Sequence, residues 1–252
     1  DKLKKNNMEL EKDIETKSKI DEMRKQFISD VSHELKTPIA LIQGYAEGLV
    51  ENVNTDEESR KFYAEVILDE ANKMDVMVKR LLELMKLEYE DREFNNKNFD
   101  IVELVNEVIR TSNVVIKENN IEVEFKEKEP IIVYADDFYI EQVVNNYFTN
   151  ALKNVEKIKN KKKIKISIKQ AKDENKYRVS VFNTGKNIDE ENIPRIWNRF
   201  YKVDESRDRS KGGHGIGLSL VKAILNKYNN SYGVKNKQDG VEFYFEIDKE
   251  KA

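Results

Sequence analysis

The chain has 252 residues with 45 basic and 48 acidic side chains, a net charge of −3, no cysteine and two histidines. This balance gives no basic field for nucleic acid, excludes disulfides and thiolate metal sites, and leaves too few histidines for a His-based metal centre. No apolar run reaches the ~18 residues needed to span a bilayer, and the start at Asp1, without Met or a signal peptide, reads as a cytoplasmic piece of something longer.

Residues 1–19 are strongly charged, with sparse apolar positions at Leu3, Leu10 and Ile14. They read either as a weak coiled coil feeding the next helix or as a solvated terminus. From Ile20 a stripe forms at helical spacing through Met23, Phe27, Val31, Leu35, Ile39, Ile42, Ala46 and Leu49. His33 lies two positions past Val31, roughly 200° round the helix, among Asp30, Glu34 and Lys36, so it should meet solvent. Thr37 is one turn on, on the same side. Pro38 removes a backbone donor and predicts a kink just after His33. A solvated imidazole keeps a free ring nitrogen near neutral pH and can attack, with Glu34 placed to accept its other proton. On this stretch alone, an exposed histidine without a role is an equal alternative.

The helix should end near Glu51, before the turn-like Asn52-Val53-Asn54. Thr55 as N-cap with Glu58 three residues on predicts a capping box. A second helix then runs to about Leu87, with Phe62, Val66, Ile67, Met74, Met77, Val78, Leu81, Leu82 and Met85 on one wide face. Two such helices make an antiparallel hairpin that cannot cover its own apolar face. Pairing with a second copy gives a four-helix bundle, hence a homodimer.

Tyr89 to Asn98 is charged and amide-rich and reads as a linker, with the boundary at residues 91–98. Beyond it the pattern alternates. Helices are expected over residues 101–113, 139–158, 189–199 and 218–228. Strands are expected over 121–125, 131–135, 164–168 and 177–182, then at Val234 and over 241–247 around an Asp239-Gly240 hairpin. This order predicts an α/β sandwich over residues 99–249, one sheet covered on one face by helices. The basic run from Lys157 to Lys165 reads as a solvated helix end and loop, or a partner-binding patch.

Three pieces of this second region suggest one nucleotide site. Asn146, Asn150 and Lys153 share a helix face, where amide oxygens suit Mg²⁺ and the ammonium suits phosphate. Asn183-Thr184-Gly185 follows a strand. Gly185 lets backbone approach a flat ligand, and the Asn183 oxygen could accept from an adenine amino group. Gly213, Gly215 and Gly217, followed by Leu218, precede a helix whose N-terminus could meet phosphate. No Walker loop is present. The charged segment from Asp204 to Lys211 reads as a lid, and His214 as a loop residue.

With these pieces in place the sequence resembles the two-component sensor histidine kinases, from Ile20 to about Ile247. Ser32-His33-Glu34-Leu35-Lys36-Thr37-Pro38 resembles the phosphoacceptor box. Asn146–Lys153 resembles the asparagine box, Asn183–Ile188 and Gly213–Leu218 the two glycine boxes, and Arg199-Phe200-Tyr201-Lys202 the phenylalanine box. The resemblance implies an α plus α/β architecture: a dimerising helical hairpin (residues 20–90), preceded by an input helix, then a Bergerat-type (GHKL) ATP-binding sandwich. It implies autophosphorylation of His33 from ATP with Mg²⁺, with Glu34 as base and Asn150 on the metal. Asn146, Lys153 and Lys202 would lie near the phosphates. Transfer to an aspartate of a response regulator follows, and Thr37 would position water for regulator dephosphorylation. The parent protein would sit in the bacterial cell membrane. Asn183 departs from the family's usual Asp, Asn187 from a second Gly, His214 from the frequent Thr, and Asn229-Asn230-Ser231 from His-Gly-Gly. The alternatives are another GHKL-type ATPase and a non-catalytic dimeric module with a weakened nucleotide site.

Overall fold

The computed structural model describes residues 2–53, 55–89, 93–203 and 215–251. They divide into two units, 1–79 and 80–252.

The first unit is built on helix α1 (Lys2–Val50) and most of helix α2 (Glu57–Tyr89). α1 runs on through Pro38. It ends as its sequence suggests: Asn52 takes a left-handed conformation (φ 52°), and the amides of Val53 and Asn52 donate to the carbonyls of Gly48 and Leu49. This is a Schellman stop with Asn in the usual glycine position. Tyr45 then packs edge-on against Phe62 and Tyr63, closing the hairpin tip. The cap of α2 differs from expectation. Asp56, not Thr55, accepts from the Ser59 amide at 2.7 Å. That bond holds the Asp56 carboxyl below its ordinary pKa. Asp56 is thus the N-cap itself, one residue later than expected, and its carboxylate takes the third amide of the helix.

No residue of the α1 stripe described by side chain, Phe27 to Leu49, is fully buried in the single chain. On α2, Met77, Leu84 and Leu87 are buried, whereas Phe62 and Leu82 are exposed.

The second unit holds a five-stranded sheet of β2 (Ile121–Glu124), β4 (Lys162–Gln170), β5 (Lys176–Thr184), β7 (Gly240–Asp248) and β6 (Tyr232–Lys237), in that order. β2 runs parallel to β4 and the other neighbours are antiparallel. A two-stranded sheet pairs β1 (Lys97–Asp100) with β3 (Ile132–Ala135). Helices α3 (Ile101–Thr111), α5 (Asp137–Asn154) and α6 (Gly217–Lys227) pack together, and a short α4 (Asn113–Glu118) precedes β2. The core lies between them. Ile164, Ile166 and Ile168 alternate inward from β4, and α5 buries Ile140, Val143, Val144, Tyr147, Phe148 and Ala151.

Several sequence expectations shift. The stretch 91–98 is not all linker. Phe94 stacks on Tyr139 and Tyr228 at 4.5 and 5.0 Å, and Lys97 already belongs to β1. The helix expected over 101–113 breaks at Ser112 into α3 and α4. α5 stops at Asn154, four residues early, because Val155 turns extended. Residues 189–199 form successive turns rather than a helix. Pro194 there has no amide to donate to a regular ladder. The basic run 157–165 makes a tight turn and enters β4; Lys161 just before the strand, and Lys163 and Lys165 within it, pair with Glu122 and Glu124 of β2.

Candidate nucleotide site and phosphoacceptor helix

His33 sits on α1, exposed as expected, as is Thr37, with Glu34 half-buried between them in sequence. Three off-stripe positions on one helix thus present an imidazole, a carboxylate and a hydroxyl.

The second unit contains a cavity of about 600 Å³, within the range of small-molecule sites. Asn146, Asn150, Lys153, Asn183, Lys202, Gly215, Gly217 and Leu218 line it. Gly185 is not among the lining residues, although Asn183 and Lys186 on either side of the turn are, and Gly213 and His214 lie outside the described residues, as does the segment 204–211.

Local structure explains how these side chains converge. α5 is capped by Asp136, whose carboxylate accepts from the amides of Phe138 and Asn95. The apolar side of α5 is fixed against the sheet, so Asn146, Asn150 and Lys153 share the other side, half-buried on the cavity. The Asn146 amide nitrogen donates to the Gln142 carbonyl at 2.8 Å. Its oxygen lies against the first residue of α6: a Cβ on Gly217 would come within 2.6 Å of it. Ile216 at its N-cap supplies no side-chain hydrogen bond, and among the described residues the leading amides of α6 open on the cavity where Gly215, Gly217 and Leu218 line it. The absence of a Cβ at Gly217 creates that opening.

At the other end of α5, Asn183 is 4% exposed at the end of β5. Its amide nitrogen donates to the Thr184 carbonyl at 3.2 Å, leaving the oxygen as the acceptor offered to the cavity. Thr184 is tied down by the Glu156 carbonyl and the Lys163 amide. Gly185 has φ 153°, and a Cβ there would stand 2.8 Å from the Asn154 carbonyl oxygen. Only glycine fits this conformation at this approach. Asn187 needs no glycine, since its φ is not positive. In its bonding orientation its amide donates to the carbonyls of Gly240 and Lys237 at 2.9 and 3.0 Å. Asn229 likewise takes the left-handed position (φ 52°) that ends α6, with Asn229 and Asn230 amides bonded to Asn226 and Leu225.

Phe200 is held left-handed (φ 59°) by its amide bond to the Gly215 carbonyl, and Gly215 (φ 66°) leaves no room for a side chain against it. This clasp fixes Tyr201 and Lys202 on the cavity wall, with the Tyr201 hydroxyl donating to Asn192 at 2.6 Å. Ile188, Ile196, Val241 and Phe243 supply an apolar wall that the motif pattern alone did not reveal. Arg80, from α2, also lines the cavity.

Among the described residues no cluster of three His, Cys, Asp or Glu side chains could hold a metal ion. The available donors are neutral amide oxygens. They suit a Mg²⁺ that keeps most of its waters and is shared with phosphates. No described helix is long and apolar enough to cross a membrane.

The comparisons agree with this layout. Residues 23–90 match the family described as the His Kinase A (phospho-acceptor) domain. Residues 135–251 match the family of histidine kinase-, DNA gyrase B- and HSP90-like ATPases. Sensor protein SrrB of Staphylococcus aureus is 29% identical over 226 residues, 90% of this chain and 38% of SrrB. The chain thus spans well under half the length of the curated relatives it matches. Among solved structures, the histidine kinase ThkA in complex with response regulator protein TrrA superposes with TM-score 0.70 at 29% identity, covering 89% of this chain and 61% of that one. The ThkA catalytic domain is 31% identical across 99% of its own length and 62% of this chain, TM-score 0.54. The Acinetobacter baumannii histidine kinase AdeS shares the fold, with TM-score 0.70 at 22% identity over 87% of this chain and 98% of its own. A phosphoacceptor-type helical hairpin followed by a kinase-type ATPase domain, in one chain, places this protein in the two-component sensor histidine kinase family.

Proposed function

We propose that this chain is the catalytic portion of a protein-histidine kinase that phosphorylates His33 from ATP and passes the phosphoryl group to an aspartate of a response regulator. One observation carries the reading: an exposed histidine on the hairpin helix accompanies, in the same chain, a cavity with amide oxygens, ammonium groups and an uncapped helix N-terminus.

In this reading the adenine lies against Asn183 and the apolar wall, with the Asn183 oxygen accepting from the exocyclic amino group. The triphosphate extends toward Asn146, Lys153, Lys202 and the start of α6, where ammonium charge and leading amides stabilise it. Asn150, with phosphate oxygens, would hold Mg²⁺, which supplies further charge neutralisation at the transferring group. An imidazole nitrogen of His33 attacks the γ-phosphorus. The bond from phosphorus to the β,γ-bridging oxygen breaks, ADP leaves, and Glu34 takes the proton from the other ring nitrogen. The protein's task is alignment and charge placement rather than covalent chemistry of its own. Thr37, one turn from His33, orients water when the regulator is dephosphorylated.

The half-exposed stripe on α1 and exposed Phe62 and Leu82 on α2 support a homodimer in which two hairpins cover each other. Residues 1–19 then act as the input helix of a longer parent protein in the cell membrane.

The test is incubation with γ-labelled ATP and Mg²⁺. Wild type should acquire an acid-labile, base-stable label, and His33→Gln none. Labelling that survives the His33→Gln change, or an acid-stable product, overturns the proposal. A second reading, a dimeric module with a weakened nucleotide site, draws on the neutral Asn183. Absence of binding at millimolar ATP would favour it.

A further inference from the structure

Arg80 is a cavity-lining side chain that no motif announces. It sits near the C-terminal end of α2, half-buried. Among the described residues it makes no hydrogen bond or ion pair. Burial pushes its guanidinium below its ordinary pKa, and Glu83 opposes that by charge attraction. Its helix end is anchored to the nucleotide-binding unit at two points. Glu83 accepts from the Gln142 side chain, and Glu88 pairs with Arg199. The Gln142 carbonyl in turn accepts from Asn146. The turn carrying Arg80 therefore lies at the Asn146 end of the cavity, where α6 begins, and not at the Asn154 and Asn183 end.

We propose that Arg80 is a further nucleotide-binding residue whose guanidinium contacts the phosphates of ATP and not the base. The inference rests on the cavity being an ATP site. A guanidinium has five donors in a planar fork and no acceptor, so it matches phosphate oxygens and cannot read an adenine amino group. Partial removal from water with only the charge attraction of Glu83 and no hydrogen-bonded anion is unfavourable, and a phosphate arriving in the cavity relieves it. Since α2 carries Arg80, phosphate binding and the seating of that helix end are coupled, and the coupling acts in both directions. A nucleotide with a full phosphate chain holds the helix end down more firmly than adenosine does.

The test compares wild type, Arg80→Gln and Arg80→Lys in the full chain. ATP, ADP and adenosine are titrated in competition with a fluorescent nucleotide, with Mg²⁺ present. Loss of a charge-assisted hydrogen bond weakens binding by about tenfold or more. Arg80→Gln should therefore lose about that much for ATP while binding adenosine as wild type does, and Arg80→Lys should recover part of the loss. Hydrogen exchange over residues 80–89 should slow with ATP in wild type and less so in Arg80→Gln. Unchanged ATP affinity in Arg80→Gln overturns the assignment. Equal losses for ATP and adenosine also overturn it, because Arg80 would then act through the fold. A wild-type chain that binds no ATP refutes the nucleotide reading of the cavity itself, and Arg80's role falls with it.

Discussion

Replacing Gly217 with Ala separates a binding role from a packing role. Gly217 is the first residue of α6, and its φ is not positive, so alanine meets no backbone strain there. Alanine is the better helix former, by up to about 1 kcal/mol. Against this, its Cβ would come 2.6 Å from the Asn146 oxygen and 3.5 Å from that residue's amide carbon. Asn146 must turn away and give up its 2.8 Å bond to the Gln142 carbonyl, at about 1 kcal/mol. The two effects nearly cancel, so the melting temperature should move by no more than about 3 °C. ATP affinity should not be spared. The displaced amide and the new methyl group occupy the mouth of the α6 N-terminus, and a loss of about tenfold, roughly 1.4 kcal/mol, is expected. Thermal unfolding and titration calorimetry on the same preparation test both halves. Wild-type affinity in a normally folded variant would refute the placement of phosphate at this helix end. A fall in melting temperature of about 10 °C or more would show that the close approach serves packing.

Two further predictions concern the scaffold. Gly240→Ala would set a Cβ 1.9 Å from the Asn183 carbonyl oxygen, backbone against backbone at the end of the β5–β7 ladder. A cost near the upper end of overpacking, about 3 kcal/mol, should appear in urea unfolding, and a wild-type midpoint would contradict it. Lys163, Lys126 and Lys165 hold the Glu124 carboxyl down to a pKa of about 2. Its folded value lies below its unfolded one, so its contribution is present above about pH 4.5 and lost as pH falls toward 2. Glu124→Gln should flatten stability across that window and reduce its salt dependence. An unchanged pH profile would show that the cluster is screened by solvent.

Much of this was legible in residues. The alternation Ile164, Ile166, Ile168 and the amphipathic 139–151 stretch announced the sheet and the helix that covers it, because period alone decides which face is buried. Asn146, Asn150 and Lys153 were found by helical spacing, and the structure brings them to one cavity with Asn183, Lys202 and Gly217. What the sequence hid was set partly by local competition for a cap and partly by tertiary contacts. Asp56 captured the cap assigned to Thr55. Phe94, in a stretch that reads as solvated, is fixed by two aromatic rings distant in sequence. Arg80 belongs to a cavity whose other walls come from residues 146 to 243, so no local pattern could connect it.

Asn183 allows a sharper test, because restoring an acid should push stability and affinity in opposite directions. In Asn183→Asp the amide that donates to the Thr184 carbonyl disappears. The introduced carboxylate is buried as Asn183 is, at 4% exposure, beside that carbonyl. Burial and the adjacent carbonyl oxygen raise its folded pKa above the unfolded value. The penalty is therefore absent below about pH 4 and grows as pH rises through the folded pKa. At pH 7 the nucleotide-free protein should lose about 1–3 kcal/mol, and the loss should shrink on acidification as the carboxyl protonates and donates to Thr184. ATP binding should strengthen, because a charged acceptor bonds the adenine amino group more tightly than a neutral amide. Roughly tenfold tighter binding corresponds to 1.4 kcal/mol. Inosine triphosphate, which has an oxygen in place of that amino group, should gain nothing and lose affinity instead. Chemical unfolding against pH and titration of both nucleotides measure the four quantities. Lower stability without tighter ATP binding, or equal gains for ATP and inosine triphosphate, would mean that the base does not lie against this position.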